Sequence, residues 1–374
     1  MQDRSSRAVL QRLISILTLL TLAAVSGHAQ TPDDLPPPKI ASAPVEKSRV
    51  FYVMDSASLV RGFDTNDAVV QRMVDALVMA TAGRPTITEA WHAFVHPTDI
   101  VGIKVSTSQG AMGGTKLAVV RAIAKGLQKA GISPDRILVW DKNRDDLEAA
   151  GYLQETKDFM VRWIDPADGY DRQAMITAPV LGRLIWGDSR FGQREGNRLE
   201  DKLSMGDQLS STSYFASILS REVTKVINVP SLSDSFLTGI HGAIANMTLS
   251  NVDNWRRFTR PPNFGDPFLA EIYADPAVRD KVALTILDGL ALQFAGGPFP
   301  NPNFVRQSFA IFASQDAVAI DATALRMIEE YRVAYKLPRI TKVASHIESA
   351  SALGLGRANE DEIQTIRVGM EGVR

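Results

Sequence analysis

Residues 100–141 constrain the fold more than any other part of this chain. Ile100 to Val105 is a short apolar run of the kind that forms a strand buried on both faces of a mostly parallel sheet. Gly110 to Gly114 then make a flexible loop. Thr115 is placed to cap a helix whose apolar stripe is Leu117, Val120, Ile123, Ala124 and Leu127, and Gly131 sits where a left-handed residue would stop it. Arg136 to Trp140 is the next strand, ending in Asp141. Strand, glycine loop, helix and strand make a βαβ unit, which commits the chain to a parallel sheet covered by helices.

The pattern repeats elsewhere. A strand is expected over Arg49 to Met54 and a helix from about Asn66 to Ala80, capped by Asp64 or Thr65. A helix is read over Asn143 to Tyr152 and a strand over Val161 to Ile164. Tyr214 to Arg221 is read as a short helix before a strand at Lys225 to Val229. Later strands fall at Val282 to Leu287 and Ser308 to Phe312. Asp316 caps a helix through Glu330, and another helix covers Thr341 to Leu353. The expected fold class is therefore α/β, a mostly parallel central sheet with flanking helices. Gly- and Asp-rich residues near 177–209 suggest an inserted smaller lobe. Residues 357–374 form a C-terminal extension, with an edge strand expected at Ile363 to Val368.

The first 29 residues are different. Arg4, Arg7 and Arg12 precede a nearly all-apolar run from Leu13 to Val25, and Gly27-His28-Ala29 supplies small residues before a cleavage point. This reads as a secretory signal peptide, since the run is short for a membrane span of about 20 residues. Residues 30–48, with Pro36-Pro37-Pro38 and Pro44, are a stiff linker. The expected location is the periplasm or the exterior, with membrane contact only through the export signal. Formal net charge is −1 over 374 residues; loss of Arg4, Arg7, Arg12 and Asp3 takes it to −3, which gives no basic footprint for nucleic acid. There are no cysteines, which excludes disulfides, thiol nucleophiles and cysteine-ligated iron-sulfur clusters.

Polar residues at strand ends carry the candidate chemistry. Lys104 interrupts an apolar strand and needs either a carboxylate or anion partner, or an outward path for its head. Asp141 could hold Lys104, orient a hydroxyl, bind a divalent cation or cap the next turn. The backbone near Thr115 could hold an anion at the helix start, although the loop is neither a dinucleotide fingerprint nor a phosphate loop. His241, between Gly239 and Gly242, could serve as acid, base or ligand, or be a structural histidine. Asp288 stands at the expected end of its strand. Asp321 falls near the apolar face of its helix, so it needs a partner: Lys104, His241 or a neighbouring loop. His92 and His96 are four apart, but Pro97 follows and no third metal ligand is evident. Ser231, Ser233 and Ser235 lie in no nucleophile elbow.

These segments resemble the bacterial domain-of-unknown-function family 362. The resemblance rests on Asp99 to Val105, Thr115 with Val119-Val120-Arg121, and Arg136 to Asp141. It continues through Val226 to Pro230, Gly239 to Asn246, Ile286 to Gly289 and Asp316 to Asp321, in the family's order across about 49–356. Lys104, Asp141, Asn246, Asp288, Asp316 and Asp321 match recurrent family positions. Many members carry a ferredoxin-like portion with four-iron, four-sulfur clusters, which this chain lacks. Ser231, Ser233 and Ser235 stand where the family often has lysines and a histidine, Ala245 stands where it has a lysine, and His241 replaces a small or hydroxyl residue.

The expectation is an exported, non-redox protein acting on a small polar or anionic substrate at the sheet edge. His241, Lys104 and Asp141 would be catalytic, and Thr115, Asn246, Asp288 and Asp321 would bind the ligand. The alternatives are a non-catalytic periplasmic binding or scaffold protein, or an interaction module using the loop around Trp255 to Phe264.

Overall fold

The computed structural model describes residues 46–154, 156–177, 212–259, 261–262 and 264–370. The expected signal segment, nearly all of the linker and nearly all of the lobe placed near 177–209 lie outside the described residues.

The described residues form twelve strands: β1 (Ser48–Met54), β2 (Val101–Val105), β3 (Ile137–Asp141), β4 (Met160–Trp163), β5 (Tyr170–Thr177), β6 (Thr212–Ala216), β7 (Lys225–Val229), β8 (Ser231–Ser235), β9 (Gly239–Ile240), β10 (Val282–Gln293), β11 (Val305–Ser314) and β12 (Ile363–Arg367). The central sheet runs β12-β1-β11-β10-β7-β2-β3-β4, with β8 and β9 continuing from β10. Along that eight-strand path only β11 runs against its neighbours. The sheet is thus mixed but mostly parallel. β5 and β6 form a separate antiparallel pair, the smaller inserted lobe. β12 is an edge strand, parallel to β1.

Helices cover both faces. The ones that position the site are α1 (Asp67–Ala82), α2 (Ile87–His92), α3 (Gly110–Gly113), α4 (Leu117–Lys129), α5 (Arg144–Ala149), α6 (Ala243–Met247), α7 (Phe268–Ala274), α8 (Pro276–Arg279), α9 (Ala317–Ala334) and α10 (His346–Ala352). The period of two along each strand sorts the core into two layers. Val101, Ile103, Val105, Ile137, Val139, Ile227 and Val229 pack with Val74, Leu77, Val120 and Ile123 of α1 and α4. Leu138, Trp140, Val226, Leu287 and Phe312 face Ile244, Leu269 and Ile320 of α6, α7 and α9. Gly102 and Lys104 alternate with the first set and so turn toward the second layer. Trp140 lies against Gly102 so closely that a Cβ there would sit 2.5 Å from its ring, which only glycine avoids.

Several local expectations are corrected. Asn66, rather than Asp64 or Thr65, caps α1, its side chain accepting from the Val69 amide. The Gly110–Gly114 loop is a turn of helix, α3. Tyr214 to Ala216 belong to β6, and only Ile218–Glu222 turn helically, because cross-strand pairing with β5 overrides the local pattern. β10 does not end at Asp288 but continues to Gln293 through a register shift between Gly289 and Ala291. The last helix is shorter than expected and begins only at His346. Among the described residues no helix is long and apolar enough to cross a membrane.

Candidate functional site

The carboxyl ends of β2, β3 and β7 meet under α6, the place where open α/β sheets bind ligands. Lys104, at the same register as Trp140 on β3 and Asn228 on β7, is fully buried. Its ammonium donates to the Val105 carbonyl at 2.7 Å, to Asp141 Oδ1 at 2.7 Å and to Asn246 Oδ1 at 3.0 Å. Three donors meet three acceptors, which is what a buried ammonium requires.

Asp141 is equally committed. Oδ1 also accepts from the Lys142 amide at 2.7 Å. Oδ2 accepts from the Thr107 amide at 2.7 Å and the Thr107 hydroxyl at 2.6 Å. Burial alone would raise its pKa, but the Lys104 ammonium and these donors outweigh that and hold it below the ordinary carboxylate value. Burial lowers the Lys104 pKa, with Asp141 pulling the other way. Asn246 extends the network, donating from Nδ2 to the Lys104 carbonyl at 3.2 Å and to Asn228 Oδ1 at 2.8 Å. Asn228 in turn donates to the Ala243 carbonyl at 3.0 Å. Asn251 ties the far end of α6 through the Asn246 and Met247 carbonyls, and Trp140 Nε1 donates to its Oδ1 at 2.9 Å.

Asp321 does not reach Lys104. From α9 it accepts at the start of α6, from the Ala243 amide at 2.5 Å and the Ile244 amide at 3.0 Å. A Cβ on Gly242 would lie 2.1 Å from its Oδ1, so the bare backbone makes this approach possible. Burial pushes the Asp321 pKa up to about 7 against the pull of those two amides.

Thr115 and Asp288 form a second cluster. The Thr115 hydroxyl donates to the Val229 carbonyl at 2.7 Å and accepts from the Ser106 amide at 3.0 Å. It therefore joins strand ends, while Lys116 occupies the cap position of α4. The Lys116 amide donates to Asp288 Oδ2 at 2.6 Å, and the Leu290 amide to Oδ1 at 3.0 Å. The amide expected to hold a ligand anion is engaged by the protein's own carboxylate. The expected His92 and His96 pair is also separated in role: His92 Nε2 lies 2.9 Å from the Ala130 carbonyl, and His96 Nδ1 lies 2.8 Å from the Thr98 hydroxyl.

His241 follows β9 and faces a cleft of about 850 Å³ that Asp141, Ser106 and Ser108 also line. Its backbone amide donates to the Ser233 carbonyl at 3.0 Å. Its ring makes no hydrogen bond to any described residue. Burial pushes its pKa down to about 4, the Lys104 ammonium acts the same way, and Asp141 opposes them. The imidazole is neutral at pH 7, with one nitrogen able to donate and the other to accept. Among the described residues no group of three or more His, Asp or Glu is placed to hold a metal ion. Of the Trp255 to Phe258 loop, Arg257 and Phe258 are buried, while Trp255 and Arg256 line the cleft.

Sequence reasoning missed Thr107, Asn228, Ser106 and Ser108. Asn228 left a signal, since it interrupts the β-branched run Val226-Ile-Asn-Val229 as Lys104 interrupts its own strand. Thr107 left none, because its role comes from the turn after β2.

The architecture is that of a helix-covered, mostly parallel α/β sheet with a buried ion pair at its carboxyl edge and a cleft above it. Residues 195–326 match the model of DUF362, a domain of unknown function, and the absence of cysteine fits a cysteine-free form of that domain. The matched stretch carries His241, Asn246, Asp288 and Asp321, while Lys104, Thr115 and Asp141 lie before it. No curated protein matches the chain. A crystal structure of a protein from Thermotoga maritima aligns over 78% of this chain at 8% identity and a TM-score of 0.36, and the chain spans 60% of that protein.

Proposed function

We propose that this chain is an exported, non-redox member of the DUF362 group that holds a small polar or anionic molecule in the cleft above the Lys104–Asp141 pair. One observation carries the reading: an imidazole without a hydrogen-bond partner among the described residues faces a cleft whose floor is a fully satisfied polar network. Lys104 and Asp141 have no capacity left over, so their role is to fix the floor and set its field. His241 and the hydroxyl of Ser106 are the groups that meet the ligand. A catalytic role for His241 as acid or base is the second reading. It is favoured by the same open imidazole, which an anionic ligand would make more basic.

An anion near His241 stabilises the imidazolium, so its pKa rises on binding. By linkage the complex takes up a proton, and affinity rises as pH falls from 7 toward 4. Titrating the mature protein with methanesulfonate, which stays ionised throughout, should give tighter binding at pH 5 than at pH 7. The His241 ring signals in NMR should move with it, and the pH dependence should be absent in His241→Gln. Ring signals indifferent to the probe would end the ligand-site reading.

Export is the second part of the proposal, supported by the basic start and short apolar run of residues 1–29. Protein recovered from the periplasm of a Gram-negative host should begin at Gln30, as read by intact mass. A full-length chain held in the membrane fraction would refute cleavage.

A further inference from the structure

Nine large apolar side chains are exposed among the described residues, and only Phe236 and Phe299 of these line the cleft, 57% and 64% exposed. Their ring centroids are 6.3 Å apart at 35°. The segments that carry them are fixed to one another. The Phe236 amide donates to the Gly297 carbonyl at 3.0 Å, and the Gly297 amide to Asp234 Oδ1 at 3.0 Å. Gln293 Nε2 donates to the Phe299 carbonyl at 3.0 Å while its Oε1 accepts from the Asn301 amide at 2.9 Å. Ser108, on the floor, donates to the Pro298 carbonyl at 3.3 Å. The lip is therefore held rigidly against the floor.

Two adjoining phenyl rings left in water at the mouth of a polar cleft mark a contact surface. The patch is too small for protein docking, which takes about 800 Å² per partner, and the remaining exposed apolar residues lie outside the cleft. Lys142 and Arg256 also line it, Lys142 Nζ donating to the Val252 carbonyl at 2.8 Å. Resting on the ligand-site reading above, we propose that the ligand is an aromatic anion. Its flat ring lies on Phe236 and Phe299, and its charged group reaches toward His241.

The test compares naphthalene-2-sulfonate, cyclohexanesulfonate and methanesulfonate on the mature protein by calorimetry and by the His241 ring signals. Naphthalene-2-sulfonate should bind about tenfold or more tightly than either other probe, as ring stacking beyond area burial allows. Phe236→Ala/Phe299→Ala should abolish that advantage and leave methanesulfonate binding unchanged. Phe236→Tyr/Phe299→Tyr should keep it. Equal affinity for the aromatic and cyclohexyl probes, or an aromatic advantage that survives removal of both rings, would overturn the proposal. Methanesulfonate binding without any aromatic advantage sinks only this inference; silence of His241 toward all three probes sinks the ligand-site reading with it.

Discussion

Lys104→Met should destabilise the protein by about 3–5 kcal/mol at pH 7, the usual consequence of leaving a buried charge without its partner. The methionine fills the same channel, so little of the effect comes from a cavity. What is lost is the ammonium that donates to Asp141, Asn246 and the Val105 carbonyl. Asp141 would remain buried with the Thr107 and Lys142 donors but no counter-charge. The pH dependence identifies the cause. The folded-state pKa of Asp141 is depressed, so its contribution is present above the unfolded carboxylate value and lost as pH falls through the folded one. The deficit of the variant should therefore shrink on acidification, because a protonated Asp141 needs no ammonium. Urea denaturation across pH, with Asp141→Asn and the double variant, measures this. The double variant should be less destabilised than the sum of the two singles. A Lys104→Met protein within 1 kcal/mol of the parent would show that the pair holds nothing together.

Asp321→Ala should cost about 3 kcal/mol, since it strands two buried amides at the start of α6 at about 1–3 kcal/mol each. It acts on a different part of the same site. α6 carries Asn246, which holds both Lys104 and Asn228, so the variant should also loosen the floor of the cleft and weaken methanesulfonate binding. Here the pH signature has the opposite sign. The folded pKa of Asp321 is raised to about 7. Between the ordinary carboxylate value and 7 the folded chain holds a proton that the unfolded chain releases, and this contribution to stability fades as pH rises through 7. The gap between parent and variant should be largest in acid and narrow toward neutrality. Thermal melts of the two proteins from pH 4 to pH 8 would decide it. A gap that widens as pH rises would mean that Asp321 is held ionised and that its two amides outweigh burial.

The two signatures show how differently the candidate residues could be read in advance. Lys104 and Asp141 were legible as a pair, because a charge inside an apolar strand must find an acceptor and the adjoining strand ended in one. Asp321 was legible only as a residue in need of something. Its partners are backbone amides of Ala243 and Ile244, 78 and 77 residues away in sequence, and backbone donors leave no mark in residue type. The backbone near Thr115 carried the expected signal of an anion site, yet Asp288 supplies the anion to the Lys116 amide. That substitution depends on β10 and the start of α4 arriving at the same place, which no local pattern encodes. The Phe236 and Phe299 lip was invisible for the same reason, since its two halves are 63 positions apart in sequence.

Hydrophobic period and turn chemistry alone determined the strands at Ile100, Arg136, Lys225 and Val282, the helices between them and the helix-covered, mostly parallel sheet. Each of these is a short-range property, fixed by which side chains recur at spacings of two or 3.6 residues. Composition alone excluded thiol and cysteine-cluster chemistry. The antiparallel entry of β11, the reach of β10 to Gln293 and the meeting of Lys104, Asp141 and Asn246 beside a cleft that Asp141 and His241 line belong to the tertiary structure. They arise from pairings between distant segments, whose energies depend on burial and on geometry to within an ångström, and neither exists until the sheet has assembled.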